Sequence, residues 1–282
     1  MPKLPISVII PAKNEAANLP RCLEAIPWAD EIIIVDSASS DATPEIAKKF
    51  GARIVQFNYV PPWPKKKQWA LDNIPLKNDW VLLLDADEVM PANSEAVFRP
   101  IVASQGAAPN TLPSAYWLNR RFFFLGQPLK HAYTPNWNLR LFRKSSCHFE
   151  RLTSAETNSG DNEIHEHLIC SGQTAKLGEI VMDHYAFPTV AIFFEKHLRY
   201  ASWEAAVELH PFKTGEKPKG AAAFRRILKT ISRKLPFRPF LRFLWVYFGE
   251  KAFLDGIAGY HFARLHGLYE YLIELKKYEM KT

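Results

Sequence analysis

The chain has 282 residues, 48% of them hydrophobic, which is ample for a packed core and argues against a disordered chain. Its formal charge of +7 is concentrated, because Lys213 to Arg242 holds ten Lys or Arg against one acid, Glu216, a local +9, while the remainder is −2. Cys22, Cys147 and Cys170 are odd in number, widely spaced and lack a CxxC pair, so neither a disulfide framework nor a zinc site is expected and a reducing cytoplasm fits.

The opening MPKLPISVIIPAKNE has no charged leader before a long apolar stretch, and export is not expected. Ile6 to Ile10 reads as a short strand stopped by Pro11, followed by a loop entering a helix. Glu31 to Val35 is a second apolar run, ending at Asp36 and the small polar residues SASSDAT, after which Pro44 to Phe50 is helical. Arg53 to Phe57 is a third strand, followed by the loop YVPPWP and a basic helix start at Lys65, Lys66 and Lys67. Positive charge is disfavoured at a helix N-terminus unless an anion is near, although a solvated surface would also account for it.

In VLLLDADEVM, Val81 to Met90, four apolar residues run into Asp85, Ala86, Asp87 and Glu88, the pattern of a buried parallel strand whose carboxyl end opens into a cleft. Carboxylates this close repel one another, and a divalent cation bridging to a diphosphate relieves the repulsion; a solvated acidic turn is the plain alternative. No GxGxxG follows the first strand and no GxxxxGK[ST] occurs, so the two glycine-rich phosphate loops are absent. The alternation of strand and helix over the first hundred residues predicts an α/β, doubly wound sheet.

Ala115 to Phe142 alternates apolar and polar positions, as expected of strands that extend the sheet, with Phe122, Phe123 and Phe124 assigned to the core. Trp117 and Trp137 suit either core packing or stacking on a sugar. His165, Glu166 and His167 follow a polar loop and do not form a zincin HExxH pair, since Ile169 stands four residues after His165. Asp183 and His184 end an apolar run. From Thr189 the pattern is helical, with Phe193, Phe194, His197, Tyr200 and Ala201 on one side, and Arg242 to Tyr278 continues as an aromatic-rich amphipathic stretch. FLWVYF is too short to span a bilayer. Basic and aromatic amphipathic helices suit an anionic membrane surface; packing on the rest of the chain or on a second subunit of a homo-oligomer is the alternative.

ISVIIPAKNEAANL, IIIVDSASSDAT, KKKQWALDN and VLLLDADE, in this order and spacing, resemble the family 2 glycosyltransferases with the GT-A fold. RRFFFLGQPLKH, NLRLFR and EIHEHL are similar to the lipopolysaccharide core glucosyltransferases and related polysaccharide-assembly enzymes within that family. The resemblance implies a GT-A, Rossmann-like mixed sheet flanked by helices over residues 1–188, with a nucleotide-sugar half at 1–104 and an acceptor half at 105–188. A helical, basic amphipathic region at 189–282 would follow.

The same resemblance implies site roles. Pro11, Ala12 and Glu15 would line the base and ribose pocket, and Asp36 would accept from base or ribose, which suits an acceptor-only carboxylate. Ser37 stands where the family usually has a second acid, which leaves the base open. Lys67 would face the diphosphate, while Lys65 and Lys66 are as readily surface residues. Asp85 would reach ribose and metal, Asp87 would bind Mg²⁺ or Mn²⁺, and His184 would be either a third ligand or a structural histidine. Glu166 would be the base of an inverting displacement, a surface turn being the alternative for its triplet; apart from the resemblance, the residue types suit His165 to orient that base or touch the diphosphate and Arg140 to anchor phosphate or sugar hydroxyls.

These readings make the chain a metal-dependent, inverting hexosyltransferase that uses a nucleoside diphosphate sugar, a UDP-sugar first. The acceptor would be a lipid-linked or envelope saccharide at the cytoplasmic face of the membrane, and no nucleic-acid partner is expected. Two rivals are a haloacid-dehalogenase-like phosphatase built on the DxD strand and a non-catalytic membrane adaptor with a degenerate transferase domain.

Overall fold

The apolar runs of the first hundred residues become four parallel strands, β1 (Leu4–Ala12), β2 (Ala29–Asp36), β3 (Arg53–Gln56) and β4 (Trp80–Leu83), in the order β3-β2-β1-β4. Side chains alternate across this sheet with the period of two that a strand imposes. Ile6, Val8, Ile10, Trp80 and Leu82 enter the core on one face, and Ile9, Ile33, Val35, Val81 and Leu83 enter the core on the other. Burial on both faces is why these strands read as unbroken apolar runs.

The computed structural model describes residues 2–61, 63–103, 112–151, 167–210 and 237–282. Within them the chain divides into two units, one taking the described parts of 2–122, 135–151 and 167–186, the other 123–134 and 187–282. In the first unit the sheet continues past β4 through β6 (Ala115–Phe124) and β8 (Asn136–Arg143), with β4, β8 and β6 antiparallel in turn. Then come β11 (Thr174–Phe187) and the two-residue β5 (Glu88–Val89), antiparallel to each other, so the sheet is mixed, as expected. Helices α1 (Leu19–Glu24), α2 (Thr43–Lys49), α3 (Lys66–Asn73) and α4 (Ser94–Ala103) belong to this unit.

The order 3-2-1-4 has a consequence for function. The chain leaves β1 for β2 and β3 on one side and returns to β4 on the other, which opens a crevice at the carboxyl ends, where open α/β sheets bind ligands. In register, Ala12 lies opposite Asp36, and Ile9 opposite both Ile33 and Leu83. The three strand ends therefore deliver Ala12, Asp36 and Asp85 to one edge.

One expectation is corrected here. Cys147 and Cys170 form a disulfide, opposite each other across β9 (Cys147–Phe149) and β10 (Leu168–Cys170), a small antiparallel pair. Their separation of 23 residues hid the pairing, because strand register brings together positions that spacing alone leaves apart. Of the three phenylalanines expected in the core, Phe124 is fully buried and Phe122 and Phe123 are partly exposed.

In the second unit β6 ends in a hairpin with β7 (Gln127–Pro128), and the helices are α5 (Val190–Leu209), α6 (Arg238–Leu244) and α7 (Gly256–Glu279). Thr189 caps α5, its Oγ1 accepting from the Ile192 N–H at 3.2 Å, which is why the helix begins where the sequence pattern changes. α6 and α7 approach closely, since a Cβ on Gly267 would lie 2.7 Å from the Pro239 carbonyl oxygen. Arg238 then bridges Glu208 of α5 and Glu270 of α7, and Lys277 adds a second contact to Glu208 at 2.7 Å. No described helix is long and apolar enough to cross a membrane. The basic stretch from Lys213 lies outside the described residues as far as Pro236.

Two histidines sit in the core of this unit. His197 stacks on Phe193 at 3.7 Å and donates from Nδ1 to the Phe193 carbonyl at 2.8 Å, and His266 packs against Phe262. Burial pushes the His197 pKa down from 6.5 to about 4, and burial with the nearby Arg242 charge pushes His266 well below its ordinary value. A histidine whose folded-state pKa is depressed stabilises the fold above its unfolded pKa and loses that contribution as pH falls toward the folded value. Thermal unfolding followed from about pH 6.5 down to about pH 4 should therefore show a steep loss of stability, on the order of 3 kcal/mol from His197 alone. His197→Phe, which stacks without titrating, should flatten that profile.

Candidate active site

At the end of β1 the chain turns through Asn14, held at φ 56°, and is bound to the loop after β2 by a set of backbone contacts. The Asn14 N–H donates to Ser39 Oγ (2.8 Å), the Glu15 N–H to Thr43 Oγ1 (2.8 Å) and the Ala16 N–H to Asp41 Oδ2 (3.0 Å), while Asn14 Oδ1 accepts from the Ser40 N–H (2.9 Å). Asp36 stands under this cradle and is buried. Its Oδ1 accepts from Ser39 Oγ (2.5 Å), and its Oδ2 from the Ser39 N–H (3.1 Å) and Gln56 Nε2 (3.0 Å). The carboxylate thus ties the loop after β2 to the end of β3. Pro11 and Ala12 end β1, and Glu15 accepts from Asn18 Nδ2 at 2.9 Å.

Asp85 is the meeting point of two cations. Lys67 Nζ lies 2.8 Å from its Oδ1, and the Arg140 guanidinium 2.7 Å from its Oδ2. Burial pushes the Asp85 carboxyl up, but Arg140 and Lys67 outweigh it and hold it well below the usual range. Glu88, fully buried, completes the group: its Oε1 accepts from Arg140 (2.5 Å) and from Arg120 (3.0 Å), and its Oε2 from the Asp85 N–H (3.0 Å). Glu88 therefore fixes both the turn that presents Asp85 and the arginine that neutralises it.

Asp87 faces the other way. Pairing of β5 with β11 sets Glu88 opposite His184, and the Tyr185 N–H donates to the Asp87 carbonyl at 2.8 Å. His184 Nε2 consequently lies 3.4 Å from Asp87 Oδ1, with its ring 4.9 Å from Phe122. Among the described residues no three His, Cys, Asp or Glu side chains form a ready-made metal ligand set. A carboxylate with an imidazole beside it still fits a divalent cation completed by ligand oxygens, and the imidazole favours Mn²⁺ over Mg²⁺. Asp85 would join such a set only as Lys67 or Arg140 turned to another anion.

Lys65 and Lys66, placed at the surface as readily as in the site, are both buried, and Lys66 Nζ donates to the Ala12 carbonyl at 3.1 Å. That bond docks the start of α3 against the end of β1 and carries Lys67 to Asp85. His165 and Glu166 lie outside the described residues; the neighbouring His167 pairs with Glu150 at 2.7 Å. Trp117 donates to Thr174 Oγ1 at 3.2 Å, and Trp137 carries Lys176 over its ring at 4.8 Å. The sequence placed Glu88 among the acids at the strand's mouth but gave no role to it or to Arg120. The one available signal was that Glu88 immediately follows the DxD acids on an apolar strand.

Residues 7–107 match the family described as Glycosyl transferase family 2. This region is a family 2 glycosyltransferase domain. The chain is 25% identical to the lipopolysaccharide core biosynthesis glycosyltransferase LpsC of Rhizobium meliloti, over 99% of this chain and 94% of that one. It is 28% identical to an uncharacterized glycosyltransferase of Rickettsia felis, over 96% and 92%. Among solved structures it is similar to a mannosyltransferase from Pyrobaculum calidifontis in complex with GDP-Man and Mn²⁺, with TM-score 0.54, 16% identity and coverage of 99% and 88%. The fold is GT-A, and neither the phosphatase nor the adaptor reading is favoured.

For this glycosyltransferase the buried charge group makes a stability prediction. Glu88→Ala would leave Arg120 and Arg140 without their shared acid, and loss of one partner from a buried pair costs about 3–5 kcal/mol. Glu88→Gln keeps an acceptor oxygen and should cost less. Urea unfolding of the two variants measures both, and equal stability of Glu88→Ala and the parent would contradict the assignment.

Proposed function

We propose that this glycosyltransferase moves a hexose, glucose-like, from a nucleoside diphosphate sugar to a hydroxyl of a lipid-linked or envelope saccharide, with inversion at the anomeric carbon. The observation that carries the reading is the convergence at one sheet edge of a loop cradle over Asp36 with the Lys67–Asp85–Arg140 group. A cradle of small polar residues suits a nucleoside. Cations already gathered around a carboxylate suit the diphosphate that follows it. The name of the Rhizobium meliloti relative supports a lipopolysaccharide-type acceptor, and a UDP-sugar is the first donor to try.

In this reading Pro11, Ala12, Glu15 and Asp36 hold the nucleoside, while Lys67 and Arg140 exchange Asp85 for the diphosphate as the donor arrives. Asp87, with His184 beside it and Asp85 released, would hold Mg²⁺ or Mn²⁺, which when bound supplies Lewis-acid stabilisation of the leaving diphosphate. The acceptor oxygen bonds to the anomeric carbon as the bond to the diphosphate breaks, and its proton passes to Glu166, which His165 precedes in sequence. One carboxylate suffices for such a single displacement. The enzyme would work at the cytoplasmic face of the membrane, where a lipid-linked acceptor is presented.

Two substitutions separate the roles. Asp87→Asn should abolish metal-dependent binding of a nucleoside diphosphate while the fold survives, and calorimetry showing unchanged affinity would reject the assignment. Glu166→Gln should leave donor binding intact and lower transfer roughly 10²-fold or more. Near-normal turnover would move the base elsewhere, and a product of retained anomeric configuration, read by NMR, would overturn the single displacement.

A further inference from the structure

The second unit carries a set of large apolar side chains that are exposed to solvent. Phe237 before α6, Leu241 within it, and Trp245 and Phe248 in the π-helical turn Trp245–Gly249 are large apolar side chains left exposed along one short stretch of chain. Phe237 is 78% exposed, Trp245 58% and Phe248 59%. Phe253, in the turn Ala252–Asp255, extends the same patch, its ring 6.3 Å from that of Phe248. A patch of this kind marks an interaction surface rather than ordinary surface scatter.

The charges around the patch decide its partner. Arg238 is turned to Glu208 and Glu270, and Arg242 donates to Tyr133 Oη. Both acids of the stretch are also spent internally. Glu250 accepts from Trp245 Nε1 and the Tyr133 N–H, and buried Asp255 accepts from the N–H groups of Lys130, His131 and Ala132. Lys251 is left exposed among the aromatics, and residues 211–236, which lead directly into Phe237, contain eight Lys or Arg and one Glu. The net charge that this sequence and the exposed Lys251 carry is matched by an anionic surface.

We propose that Phe237, Leu241, Trp245, Phe248 and Phe253 form the surface by which the enzyme seats itself in the headgroup region of an anionic bilayer. The proposal deepens the membrane-face reading above and names its insertion site. Aromatic rings at that depth bury apolar area while the adjoining basic residues meet anionic headgroups, so part of the attachment is insensitive to salt. No covalent step and no catalytic residue is involved.

The test uses the full chain with vesicles of phosphatidylcholine containing phosphatidylglycerol, and with phosphatidylcholine alone as control. Flotation is expected with the anionic vesicles, reduced but not eliminated by high salt. Brominated lipid should quench a component of tryptophan fluorescence that disappears in Trp245→Phe. The double variant Phe248→Ser with Phe253→Ser, both exposed and expected to fold with a melting curve close to the parent's, should lose salt-resistant binding by about tenfold or more. Changing Arg225, Arg226, Arg233 and Lys234 to Gln should instead remove the salt-sensitive part. Undiminished high-salt binding of the double variant would overturn the proposal and leave a purely basic attachment. A dimer that dissociates in the double variant, with no vesicle binding by the parent, would overturn it in favour of a subunit interface. Nucleotide binding by calorimetry should be unchanged in the double variant, which keeps this outcome distinct from any failure of the transferase reading.

Discussion

Glu88 is a carboxylate with no exposed surface that takes two guanidinium groups and a backbone N–H. Burying such a group is costly unless its charge is compensated and its lone pairs are filled, and here both conditions are met by residues from β6, β8 and the DxD turn itself. The arrangement ties three sequence-distant segments to one point. Because Arg140 also reaches Asp85, the same acid that stabilises the turn sets the charge around the first DxD aspartate. Because β5 begins at Glu88, it also sets the register that brings His184 to Asp87.

A second constraint acts on the lysines that open α3. A helix N-terminus carries partial positive charge, so Lys65, Lys66 and Lys67 add like charge where it is least welcome. The fold answers with a carbonyl for Lys66 and a carboxylate for Lys67. Both lysines are thereby held by the chain itself, Lys66 by the end of β1 and Lys67 by the turn that follows β4.

The second unit is built on different physics. Its core is aromatic, with Phe124, Phe187, Phe193 and Phe262 around His197 and His266, and the two imidazoles behave there as neutral aromatic rings. Its polar contacts are interhelical, from Arg238 and Lys277 to Glu208 and Glu270. That inward use of charge leaves an outward surface dominated by rings on α6 and the turns that follow it.

What the sequence by itself determined about this protein is what has a local period or a local stop. The apolar runs at Ile6, Glu31 and Val81, the end at Asp36, the acids after Leu84 and the helix starting past Thr189 were all legible, because strand alternation, capping and turn chemistry act over a few residues, whereas β1 was expected to stop at Pro11 and instead pairs through it to Ala12. The four-motif order also carried the family. Tertiary structure alone decided the rest. Glu88 finds Arg120 and Arg140 at separations of 32 and 52 residues, Lys66 finds the Ala12 carbonyl across 54, and Cys147 meets Cys170 across 23. None of these pairings leaves a periodic trace, and a lysine buried against a carbonyl reads in sequence like a lysine in water. The same limit holds for the patch at Trp245: amphipathic spacing shows that a helix has an apolar side, but only packing reveals whether that side is covered.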